Sequence, residues 1–113
     1  MRLYDDCSLQ DVLRHEYGHA VADLYPRLIR SWRFRWAFGG RYHDEQPASD
    51  YHPKKHVTEY AATLPMEDFS EVYMYYVKHS GTLPRHFNTA AIRRKWKYVA
   101  RLVRIIHAER RCA

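Results

Sequence analysis

Residues 15–19 read His-Glu-Tyr-Gly-His, an order of side chains that can do metal chemistry. On a helix, positions i and i+4 lie one turn apart on one side, so both imidazoles can reach a single ion. Zinc accepts such nitrogen ligands at about 2.0–2.1 Å. Glu16 is one residue round the helix, too displaced to share the ligand role but close enough to touch a water on the metal and take its proton. If that water is to keep the fourth place, a third protein ligand must come from another segment.

Met66-Glu67-Asp68-Phe69-Ser70-Glu71 is the best source of that ligand. Glu67 and Glu71 are again i and i+4, so one carboxylate can bind metal while the other orients a histidine through its ring N–H. Asp23, one turn beyond His19, is a second candidate for such an orienting role, and His43, His52 and His56 are rival ligands. The plain alternative is that Glu67, Glu71 and Lys78 form a solvated helix face. A metzincin would carry Gly at position 22 and His at position 25. This chain has Ala22 and Tyr25, which excludes that class.

The elements that must position these groups are mostly helical. Ser8 with Asp11 resembles an N-cap with an acidic first turn. Leu9, Leu13, Tyr17, Ala20 and Leu24 then recur at helical spacing up to Pro26, which predicts a helix over 9–25 with the histidines beside its apolar stripe. Over residues 30–38, Trp32, Phe34, Trp36 and Phe38 alternate with Arg33, Arg35 and Ala37. That is the period of a half-buried strand, ended by Gly39-Gly40. Residues 41–58 are polar, hold Pro47 and Pro53, and read as a loop. Pro65 suits the first turn of a second helix, with Met66, Phe69, Tyr73, Tyr76 and Val77 as its apolar face and Gly81 beyond its end near residue 80. Asn88 or Thr89 can cap a third, in which Ile92, Trp96, Val99, Val103 and Ile106 form the buried stripe. The expected fold is mainly α, or α+β at most: three principal helices with a short strand or hairpin beside the metal helix.

The paired motifs resemble those of gluzincins, the thermolysin-type class that joins H-E-x-x-H to a glutamate on a later helix. The pattern is most similar to anthrax lethal factor-like catalytic domains and to bacterial zinc-binding metallopeptidases. Those show H-E-[FY]-G-H-A-V-x-D, then a Tyr, six residues, and Glu-x-Phe-[AS]-Glu. Here Tyr60, Glu67, Phe69, Ser70 and Glu71 stand at that spacing, and the likeness covers residues 12–77. The resemblance implies a zinc-dependent peptidase with His15, His19 and Glu67 as ligands, Glu16 as general base and Tyr60 as oxyanion stabiliser. Glu71 and Asp23 would then support the ligands from behind. The class normally has a sheet ahead of the zinc helix, whose edge holds the substrate extended, whereas fourteen residues precede His15 here. The expectation is a truncated zincin-like domain over 1–113 in which segment 30–38 replaces that sheet or the sheet is missing.

Composition narrows the remaining classes. A chain of 113 residues with 46% hydrophobic and 15% aromatic content is long enough for one modest core. Nothing approaches eighteen consecutive apolar residues, and no secretory segment stands at the start, which reads as a cytoplasmic protein. Cys7 and Cys112 sit outside any C-x-x-C pair and are expected as free thiols. The +6 charge is uneven: residues 88–113 carry eight basic residues against Glu109, leaving the rest of the chain near neutral. That basic segment, with the cations and aromatics interleaved at 32–36, gives the second functional reading, a non-catalytic zinc-stapled module that binds nucleic acid or protein. In the first reading the partner is a peptide or protein substrate.

Overall fold

Ser8 begins the described structure by accepting a hydrogen bond from the Asp11 backbone N–H, so the first helix starts where its cap is. The computed structural model describes residues 8–112 and is mainly α. It contains α1 (Leu9–Leu24), α2 (Pro26–Ile29), α3 (Trp32–Phe38), α4 (Pro65–Lys78) and α5 (Ala90–Cys112), with 3-10 turns at Tyr60–Ala62 and Arg85–Phe87. Pro65 occupies the first turn of α4, and Thr89 accepts from the Ile92 N–H at the start of α5. Residues 41–58 form no regular element. Cys7 and the side chain of Cys112 lie outside the described part.

The strand expected at 30–38 is a helix. No strand is present among the described residues, so an extended segment here would leave its N–H and C=O groups unpaired. A helix satisfies them internally. The Ser31 hydroxyl caps its start, and Gly39, with φ 77°, closes its end in the left-handed conformation that glycine adopts without strain. The change of period also re-sorts the aromatics. Phe34, Ala37 and Phe38 turn inward, while Trp32 and Trp36 are 64% and 62% exposed.

The face that α1 buries also differs from the expectation. Leu9, Leu13, Tyr17 and Leu24 are exposed, and the buried side consists of Asp11, His15, Gly18, Val21 and Ala22. The partner of that buried face is α4, which runs antiparallel to α1: Lys78 meets Asp11, Glu71 meets His15, and Glu67 meets His19. At the centre of this crossing, a Cβ on Gly18 would stand 3.2 Å from the Ser70 Cα. The helices are therefore close enough for short acidic side chains on α4 to reach the histidines of α1.

Behind α4 lies the apolar core. Phe34 and Phe38 stack at 4.6 Å, and the Tyr98 ring from α5 meets both edge-on. Phe69, Val72, Ile92, Val99 and Leu102 are fully or almost fully buried around them. The Tyr98 hydroxyl donates to the Leu28 carbonyl, and the Trp96 indole N–H donates to the Gly81 carbonyl. One ion pair is buried in the same layer: Lys95 of α5 and Asp68 of α4 meet at 2.7 Å, and Lys95 also donates to the Lys55 carbonyl of the irregular segment. No helix among the described residues is long and apolar enough to cross a membrane.

Candidate metal centre

His15 and His19 face α4 because they share one side of α1, and Gly18 lets that side approach closely. Glu67 comes from the first turn of α4. Its Oε1 lies 2.7 Å from His19 Nε2 and 3.2 Å from His15 Nε2. Among the described residues, this is the one group of His, Cys, Asp or Glu side chains whose ligand atoms converge, all within 4.8 Å of one another. Tetrahedral donors at zinc bond lengths stand about 3.4 Å apart, so the Glu67 oxygen stands closer to both imidazoles here than it would around an ion.

Each donor is held from behind. Glu71, 1% exposed, accepts the His15 Nδ1–H at 2.7 Å through Oε2 and the Thr58 hydroxyl at 2.7 Å through Oε1. That bond turns His15 Nε2 toward Glu67 and His19, the orientation a ligand needs. His19 Nδ1 meets the Tyr42 hydroxyl at 3.0 Å. The Tyr60 hydroxyl donates to Glu67 Oε2 at 2.5 Å. Glu16 is exposed on the neighbouring side of α1, and His19 and Glu67 are half-buried, so solvent reaches this end of the cluster.

The electrostatics favour a cation. Burial alone would lower the His15 pKa, but hydrogen bonds from Glu67 and Glu71, with the charge of both carboxylates, outweigh it and raise His15 to about 9. Burial alone would raise Glu67, yet hydrogen bonds from His15, His19 and Tyr60 hold it well below the usual carboxylate range. Two carboxylates thus surround a site whose positive charge is a proton on His15. A divalent ion with neutral imidazoles would balance the same two negative charges. Two imidazoles and one carboxylate suit a divalent ion such as zinc in ligand type and number.

The remaining candidates fall elsewhere. Asp23 is exposed, and the described partner of His19 Nδ1 is Tyr42 rather than Asp23. Burial first, and then the charges of Asp23 and Glu67, push the Tyr42 hydroxyl up to about 12, which keeps it protonated. His43 is exposed and packs on the Tyr42 ring. His56 is buried in the irregular segment, its Nδ1 accepting the His52 backbone N–H. None of His43, His52 and His56 joins the converging group. Sequence reasoning missed Tyr42, Thr58 and Gly18. The Gly18 signal was there, as a glycine between the two histidines of a helix, but Tyr42 and Thr58 sit in or beside a segment with no periodicity to place them.

Fold and centre together define a mainly α protein whose antiparallel helix pair presents two imidazoles and a carboxylate to one point. No family model matches the sequence, and no curated protein or solved structure shows significant similarity to it.

Proposed function

We propose that the chain is a zinc-dependent metallopeptidase, with His15, His19 and Glu67 as metal ligands and Glu16 as the general base. The observation that supports this most is the carboxylate of Glu67, delivered by a separate helix to the Nε2 atoms of two histidines one turn apart. A zinc ion held there would supply Lewis-acid activation of a water and of a substrate carbonyl.

The chain's own residues divide the other tasks. Glu71 keeps the His15 proton on Nδ1, leaving the Nε2 lone pair for the ion. Tyr42 and Tyr60 hold His19 and Glu67 by hydrogen bonds. Glu16 takes the proton of the attacking water on its carboxylate and later gives it to the nitrogen of the leaving amine. The exposure of Glu16 and the partial exposure of His19 and Glu67 favour this reading over a sealed structural staple. Tyr60 has two proposed roles, holding Glu67 and stabilising the developing oxyanion, and Tyr60→Phe separates them.

Metal content of the purified protein, set against His15→Ala and Glu67→Ala, tests the ligand set: about one zinc per chain is expected in the wild type and loss in both variants. Cleavage of a mixed peptide pool tests the activity. Glu16→Gln should keep the metal while hydrolysis falls by at least about 10²-fold. A wild type that binds zinc and cleaves nothing would leave the non-catalytic, zinc-stapled module as the function.

A further inference from the structure

On the side of the molecule formed by α3 and the outer face of α5, the surface is both aromatic and strongly basic. Trp32 and Trp36 are one helical turn apart, and more than half of each indole is in solvent. The Arg33 guanidinium lies 4.6 Å from the Trp32 ring centroid, and the Arg94 guanidinium 5.5 Å from that of Trp36. Between the helices is a recess of about 290 Å³, walled by the two tryptophans with Arg33, Arg94, Lys97 and Arg101. No carboxylate lines this recess, and none of those four cations forms an ion pair with a described residue. Arg94, Lys97 and Arg101, followed by Arg104, fall on one side of α5 and make a cationic row about 15 Å long.

We propose that this surface binds single-stranded nucleic acid, with bases stacking on Trp32 and Trp36 and the phosphate chain following the row of cations on α5. Surface and ligand match in charge and in shape. A row of cations that form no ion pair with a described residue matches a linear polyanion whose charges repeat every few ångströms. Exposed indoles offer flat faces that every base can stack on. The apolar residues of α3 other than the tryptophans, Phe34, Ala37 and Phe38, are buried in the core, and the recess has no aliphatic side chain larger than alanine. Indoles beside cations also suit an anionic lipid interface, but the recess offers no larger aliphatic side chain to anchor among acyl chains, and an acidic peptide would leave the indole faces unused. This site shares no residue with the metal centre on α1 and α4, so either can fail without the other.

The test is fluorescence anisotropy of a labelled oligonucleotide of about twenty thymidines, titrated with the full chain at low and moderate salt. Saturable binding is expected, with a log–log salt slope of about −3 for four cations on a single strand. Trp32→Ala/Trp36→Ala should weaken binding by about tenfold or more, and Arg94→Glu/Arg101→Glu should abolish it. Circular dichroism would show both variants folded, and zinc content should be that of the wild type. The duplex of the same length, polyglutamate and phosphatidylglycerol vesicles should each bind more weakly. No saturable binding at low salt overturns the proposal, as does a tryptophan double variant that binds like the wild type. Equal or tighter binding of duplex, polyglutamate or vesicles overturns it too, the last assigning the surface to a membrane.

Discussion

The imidazole of His15 has a carboxylate against each ring nitrogen, Glu71 on Nδ1 and Glu67 on Nε2. It therefore holds its extra proton to about pH 9, and a metal must displace that proton before it can bind. The sign follows directly: below pH 9 the protonated form competes, so apparent zinc affinity falls about tenfold for each unit of pH lowered between 8 and 6. Calorimetric titration in buffers of different ionisation enthalpy should show about one proton released per zinc at pH 7, and a pH-independent affinity would contradict the ligand role of His15. The Tyr60 hydroxyl allows a second test at this scale, because it sits on Glu67 Oε2. If it positions the ligand, Tyr60→Phe weakens zinc binding by about 10–100-fold and changes turnover little once zinc is saturating. If it acts on the oxyanion, zinc affinity is kept and turnover falls by about 10²–10³-fold. Equilibrium dialysis and single-turnover hydrolysis separate the two.

At the scale of elements, the centre is a product of how α1 crosses α4. The helix interface is polar: His15 pairs with Glu71 and Asp11 with Lys78 across it, whereas the buried Ser70 hydroxyl opposite Gly18 has no hydrogen-bond partner among the described residues. Gly18 is the point of closest approach. Alanine there would gain about 1 kcal/mol of helix propensity, but its Cβ would meet backbone 3.2 Å away, so the two effects oppose each other. A branched side chain cannot be accommodated. Gly18→Val should cost about 1–3 kcal/mol by overpacking and, by moving Glu67 and Glu71 away from the histidines, should weaken zinc binding by about tenfold or more. Urea denaturation of the metal-free protein and zinc titration measure the two effects separately. Unchanged zinc affinity in a folded Gly18→Val protein would show that the crossing distance does not set the site.

For the molecule as a whole, the buried Asp68–Lys95 pair joins α4, α5 and, through the Lys55 carbonyl, the irregular segment that leads to Tyr60. Burial pushes Asp68 up to about 6 against the pull of Lys95, and the same burial lowers Lys95. The pair is thus a weak net source of stability, but each partner is costly to leave alone. Lys95→Met should destabilise the protein by about 3–5 kcal/mol, and adding Asp68→Leu should recover most of that loss. Chemical denaturation of the two variants checks the order. A single variant as stable as the wild type would mean that the charge on Asp68 is relieved by other groups.

Local order in the chain was enough to place His15 and His19 on one side of a helix, to start α1 after Ser8 and α4 at Pro65, and to bring Glu67 and Glu71 into register as a second i, i+4 pair. Such relations within a helix are set by the 3.6-residue turn and need no partner. What only the tertiary structure decided is which face each helix turns inward. Leu9, Leu13 and Tyr17 are exposed although they form the apolar stripe, because α4 covers the polar side of α1 with groups that pair with it. The same holds for residues 32–38, whose apolar positions fit a period of two or of 3.6. With no neighbouring strand among the described residues to pair with, the backbone satisfies itself as a helix, Phe34 and Phe38 enter the core, and Trp32 and Trp36 are left outside. Tyr42 and Thr58 support the centre from segments that carry no period at all. Their positions depend on long-range packing, and packing is not written in the spacing of neighbours.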